Sequence, residues 1–223
     1  MCLIVLAWRV HPEFPLVVAA NGDEFHARPA AGAGFWDDHP EILAGRDLEA
    51  RGTWMGVSRG GRFAAVTNYR GATEPRAAES RGALVSRFLR NGISPGEYIK
   101  KVKSDLYSGF NLLAADDEEL WWMSNRDGAP RRLDPGIYGL GNALLDAPEV
   151  EGTKKTFAAE LSPAPAVEPL FGVLEGARIV NPQYGTRCST VLLRGERTRY
   201  AERSFAADGA ERDTLHYELK GRS

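Results

Sequence analysis

Sulfur is scarce in this 223-residue chain, which has three methionines and two cysteines, Cys2 and Cys188, near opposite ends of the sequence. Nothing in that spacing suggests a disulfide framework. Histidine is nearly as rare. His11, His26, His39 and His216 form no pair at helical or zinc-finger spacing, so no metal site is expected. Long hydrophobic runs are missing too. No stretch approaches the roughly 20 apolar residues that a membrane helix needs. The first apolar run, LIVLAW, has no basic leader and meets Arg9, so no signal peptide is expected. Neither sign of charge dominates. Lys and Arg total 28 against 30 Asp and Glu, a net charge of -2, which gives no global basic field to hold nucleic acid or an anionic membrane. A phosphate-binding loop is also lacking, because the glycines at 52, 56, 60 and 61 fall into a hairpin pattern. With 43% hydrophobic and 26% charged residues, the chain reads as a soluble, cytoplasmic protein with a single domain over 1–223.

Residues 2–8 and 15–20 are short runs rich in Ile, Val, Leu and Trp, joined by VHPEFP, and predict two antiparallel strands. ARPAAGAG reads as a loop and EILAGRDLE as an irregular or short helical piece. GTWMGVS and RFAAVTN flank Gly60 and Gly61 and predict a hairpin. Leu84, Val85, Phe88 and Leu89 repeat at helical spacing up to Gly92. Ser94-Pro95 opens a second helix, with Glu97 closing its first turn. Strands are expected again at FNLLAAD, ELWWMS and GIYGLGN. SPAPAVEP is too rich in proline for a central strand and reads as a linker before a short helix near 168–176. CSTVLLR, RTRYAERSF and TLHYELK predict a final set of strands. The fold class is α+β with a mainly antiparallel sheet. Trp121 and Trp122 are expected on alternating faces of their strand, one ring in the core and one at the surface.

Cys2 is the residue with the most chemical potential. Removal of Met1 would place a thiol and a free α-amine on one residue. Their ordinary pKa values, about 8.5 and about 7.7–8, would let the amine act as base for the thiol near neutral pH. The plainer reading makes Cys2 a small apolar residue at the start of a buried strand.

ANGDEFHARPA (20–30) resembles the signature of the NRDE family, the transport-and-Golgi-organisation-two proteins: Asn-Arg-Asp-Glu, an aromatic residue, then Arg-Pro. The start MCLIV, FW (35–36), EILAGRDLE (41–49), GTWMGVS (52–58), AAVTNYRG (64–71), GFNLLAAD (109–116), YGLGNALLD (138–146) and YGTRCSTVLL (184–193) resemble family blocks in family order. The resemblance covers nearly the whole chain. The excess of Arg over Lys and the abundance of Ala and Gly suggest a bacterial member. Two departures stand out: Gly22 occupies the position of the signature Arg, and His26 follows the aromatic Phe25.

The resemblance implies a four-layer αββα fold similar to N-terminal-nucleophile hydrolases. It also implies site residues. Cys2 would be the nucleophile, Asp23 would hold the ammonium, Asn68 and Asn142 would be amide donors to an oxyanion, and Arg187 would be a late cation. One such donor is typically worth about 2.7–4 kcal/mol of barrier. Asn21, Glu24, His26 and Arg28 would add ligand contacts. The family is linked to haem mobilisation and to acyl-lipid (acyl-coenzyme A) handling. The first functional expectation is therefore a soluble ligand-binding protein that carries haem or an acyl lipid and meets haem donor or acceptor proteins. For haem, His26, Cys2 and Arg28 are the candidate contacts. The second is a cysteine amidohydrolase, and the third a scaffold without catalysis. Gly22 favours the first over the second, because it has no side chain to lower a thiol pKa.

Overall fold

The computed structural model describes residues 2–71 and 77–220. In chain order its strands and helices begin with β1 (Leu3–Trp8), β2 (Leu16–Phe25), β3 (Ala30–Phe35), β4 (Ile42–Asp47), β5 (Met55–Ser58) and β6 (Phe63–Asn68). Two helices follow, α1 (Gly82–Arg90) and α2 (Pro95–Lys100), and then β7 (Phe110–Ala115), β8 (Leu120–Ser124), β9 (Arg131–Leu133) and β10 (Gly136–Leu140). The chain continues through α3 (Glu151–Ala159), α4 (Val167–Glu175), β11 (Tyr184–Arg194), β12 (Arg197–Phe205) and β13 (Glu211–Lys220). It divides into two compact units, one of residues 1–28 and 135–223, the other of 29–134.

The first unit holds a six-stranded sheet in the order β10-β1-β2-β11-β12-β13. β1 is buried at all six positions, as a continuous apolar run requires. On one face Leu3, Val5, Ala7, Val17, Ala19, Val191 and Leu193 pack with Phe157 of α3 and with Leu170, Phe171 and Leu174 of α4. The Pro-rich linker and its helix are found where the sequence predicts them. α3 is additional: Phe157 is its one fully buried residue, too little to mark a helix by periodicity.

The second unit is a seven-stranded meander, β3-β4-β5-β6-β7-β8-β9, and its strand pairings are antiparallel. α1 and α2 cover one face through Leu84, Val85, Phe88, Leu89, Tyr98 and Ile99, which join Ile42, Ala64, Leu112 and Met123. α2 begins as its sequence predicts, with Pro95 in the first turn and Ser94 Oγ accepting from the Glu97 amide at 3.2 Å. The predicted hairpin turns at Gly61, whose φ of +77° suits glycine. Trp122 is fully buried and Trp121 half-buried, as alternation predicts.

Two expectations are corrected. ARPAAGAG is not a loop over its second half, because residues 30–35 form β3. EILAGRDLE is not helical, because Ile42–Asp47 is β4. The pairing of Phe35 with Leu43 and of Ala30 with Asp47 overrides the weak strand propensity of alanine and glycine. Among the described residues no helix is long and apolar enough to cross a membrane.

Candidate functional site

The signature segment begins inside β2: residues 20–25 belong to the strand and 26–29 to the turn that follows. β2 runs to Phe25, between β1 and β11. Leu3 pairs with Asn21, and Ser189 pairs with Asn21 from the other side. Continuing the first register by one residue brings Cys2 level with Gly22, which pairs with Cys188 on β11. Cys2, Gly22 and Cys188 therefore lie across three adjacent strands and share one face of the sheet. β10, which pairs Leu140 with Ile4, ends there, and Asn142 lies two residues beyond it in the bend that follows. Asn142 is buried.

Asn21 and Asp23 point to the opposite face by alternation. Asn21 is a tie between elements. Its Nδ2 donates to the Leu174 carbonyl of α4 at 3.0 Å, and its Oδ1 accepts from Ser189 Oγ at 2.6 Å. Asp23 Oδ1 accepts from Thr186 Oγ1 at 2.7 Å. Burial raises the Asp23 pKa, and the Thr186 hydroxyl pulls it back. Thr186 Oγ1 also accepts from the Ile179 amide at 2.9 Å. The thiol of Cys2 meets Asp23 through the main chain: Sγ donates to the Asp23 carbonyl at 3.5 Å, and the Tyr184 hydroxyl approaches the same oxygen at 3.5 Å.

Burial, and then the Asp23 carboxylate, push the Cys2 thiol up to about 11 from its ordinary 9.0. Cys188 is raised well above the same value by burial and then by Glu202. Both cysteines are free thiols. The face that a side chain at position 22 would occupy lies between them, and Gly22 contributes no side chain to it. Met1, on which a free Cys2 amine depends, lies outside the described residues.

The other expected site residues gather at the end of β2. Glu24 Oε1 accepts from the Phe25 amide at 2.8 Å. Arg187 sits where β11 bulges between Thr186 and Cys188, and its Nη1 donates to the carbonyls of Phe25 and Arg28 at 3.0 and 2.9 Å. It braces the turn that carries Arg28. His26 Nε2 lies 3.1 Å from the Asn181 carbonyl. Gly185 fits beside this contact because a Cβ there would stand 2.6 Å from the Ile179 carbonyl oxygen. Asn68 belongs to the second unit, as the last residue of β6, paired with Phe110. Among the described residues no group of three or more His, Cys, Asp or Glu is gathered as a metal site.

Tyr184, Thr186 and Cys188 join this neighbourhood from the same YGTRC block as Arg187. The bulge at Arg187 pairs Thr186 with Asp23 and Cys188 with Gly22, and a plain alternation pattern in the sequence does not display that shift.

Comparison with known proteins bears on the fold and the family. A conjugated bile acid hydrolase mutant from Clostridium perfringens superposes with a TM-score of 0.60 at 9% identity, covering 98% of this chain and 92% of that one. A Caenorhabditis elegans orthologue of N-acylethanolamine-hydrolysing acid amidase gives 0.59 at 13% identity, covering 86% and 92%. The fold is thus of the N-terminal-nucleophile-hydrolase class, as the resemblance implies. Among curated relatives, the human Transport and Golgi organization protein 2 homolog is 33% identical, covering 99% of this chain and 97% of its own length. The Bos taurus homologue is 36% identical, covering 86% and 88%. The family model for Transport and Golgi organisation 2 matches residues 1–183, and the chain belongs to that family.

Proposed function

We propose that this chain binds an acyl-type ligand beside Cys2 without cleaving it, a carrier on an amidase fold. The state of the thiol carries the reading. Burial holds the Cys2 pKa well above neutral, at about 11, so the thiol stays protonated at pH 7. Burial, then the Asp23 carboxylate, outweigh the hydrogen bond with the Asp23 main chain, which acts in the lowering direction, and Gly22 adds no cationic side chain. The ligand class comes from what the solved neighbours are named for acting on, N-acylethanolamines and conjugated bile acids, in which an acyl group is joined to a polar head. Haem has less support. His26 Nε2 is occupied by the Asn181 carbonyl, and a protonated thiol is a poor axial ligand.

A cysteine amidohydrolase is the second reading, favoured by buried Asn142, an amide donor two residues past the end of β10, the strand paired with β1. One experiment separates the two. The protein is incubated with N-palmitoylethanolamine, binding is followed by calorimetry, and free ethanolamine is measured by mass spectrometry. The carrier reading expects saturable binding that survives Cys2→Ala, with no ethanolamine above the background of that variant. Release of ethanolamine that depends on Cys2 would establish the hydrolase, and absence of saturable binding would remove the carrier.

A further inference from the structure

In the second unit, one face of α1 and the turn after β4 line an open cavity of about 260 Å³, and none of its lining residues belongs to the neighbourhood of Cys2. Ser86, Arg87 and Arg90 line it from one face of the helix, Arg46 and Arg51 from the strand end and turn, and Trp36 from the wall. Its charges are unbalanced. Four arginines line the cavity and one carboxylate, Asp38, does so with them. Arg46 takes up Asp38 completely, through bonds of 2.6 and 2.7 Å from its two terminal nitrogens. That fork lies over the Trp36 ring, 4.2 Å from its centroid. Arg87 is engaged by Glu79 and by the Tyr107 hydroxyl.

Arg51 and Arg90 have no carboxylate partner among the described residues. Arg90 Nη1 lies 3.0 Å from His39 Nε2, and His39 Nδ1 lies 3.7 Å from Glu41 Oε1. Arg51 stands at φ +63°, a conformation uncommon outside glycine, in a turn fixed by Asp47: its carbonyl accepts the Arg51 amide at 2.9 Å and its carboxylate accepts the amides of Glu49 and Ala50. The turn thus spends backbone strain in presenting a guanidinium to the cavity. Arg87 and Arg90 sit in the last turn of α1, where the helix favours cations, so the fold tolerates this density of positive charge.

We propose that this cavity is a binding site for a phosphate group, with Arg51 and Arg90 as its principal ligands and Ser86 and Trp36 beside them. Guanidinium forks match phosphate oxygens in geometry as well as charge. The volume is below the roughly 300–1,000 Å³ of drug-sized pockets and suits a small anion, free or at the end of a small molecule. The site is independent of the acyl-ligand reading and stands or falls without it.

The test is calorimetric titration of the full chain with inorganic phosphate and, separately, with adenosine monophosphate, at low and at physiological salt. Saturable binding is expected, weakening with salt. Arg51→Gln and Arg90→Gln keep the side-chain length and remove the charge, and each is expected to weaken binding about tenfold. Arg131→Gln, on β9 and outside the cavity, is expected to leave it unchanged. Monophosphate binding tighter than phosphate would identify a phosphorylated small molecule as the ligand, and equal binding would identify the free ion. No saturable binding of either probe at millimolar concentration would overturn the proposal. So would binding that Arg51→Gln and Arg90→Gln leave intact in variants with wild-type circular dichroism.

Discussion

An arginine at position 22 would carry its guanidinium along the face shared by Cys2 and Cys188. A cation within about 4–6 Å lowers the pKa of an acidic group by 1–3 units. Gly22→Arg is therefore expected to bring the Cys2 pKa down from about 11 by that order, read from the pH dependence of alkylation at Cys2. No change would mean that the side chain at position 22 does not reach the thiol. Thr186 is the other decisive single residue. Its hydroxyl serves the Asp23 carboxylate and the Ile179 amide together. Thr186→Val removes a hydrogen bond from the buried Asp23 carboxylate and one from the half-buried Ile179 amide, with an expected loss of about 2–4 kcal/mol in urea unfolding. The same change should raise the Asp23 pKa further, since that hydrogen bond helps to hold it down.

At the scale of elements, what was legible follows from how much of an element its own residues specify. β1, β7 and β8 are apolar nearly throughout, and α1 has four core residues at helical spacing, so each announced itself. β3 is alanine and glycine with one phenylalanine, and only its partner strand makes it a strand. β9 is three residues at a sheet edge, two of them arginines. The candidate site divides in the same way. Asn21, Asp23 and Glu24 were visible as a motif, but which face each side chain takes follows from register, which a lone sequence does not display. Hence Asn21 proves to tie β2 to α4, and Asp23 meets the thiol through its carbonyl. Energetics at this scale are testable in the second unit. Phe88 is fully buried between α1 and the sheet, and Phe88→Ala is expected to cost about 3–5 kcal/mol. Ser94→Ala removes the α2 cap and is expected to cost about 1 kcal/mol, both by denaturant titration.

For the whole molecule, the buried acids set an alkaline limit. Cys2, Cys188 and Tyr200 are each raised by burial above ordinary values of 9.0, 9.0 and 10.0. The unfolded chain releases these protons as pH passes 9 to 10, while the folded chain still holds them. Stability from this source is therefore complete below pH 9 and is lost as pH rises through the folded pKa values. Urea midpoints should fall steadily between pH 9 and 11, and Cys2→Ala should fall less steeply than the wild type. A flat profile across that range would mean that these groups ionise freely in the fold. The account as a whole rests on a thiol that stays protonated in a fold whose relatives in structure include hydrolases. The direct measurement is the rate of iodoacetamide alkylation at Cys2 against pH, followed by peptide mass spectrometry on protein whose amino terminus has been read by intact mass. The account predicts a rate that keeps rising past pH 10, with its inflection near 11. An inflection below pH 8 would show an activated thiol and contradict the carrier in favour of the hydrolase.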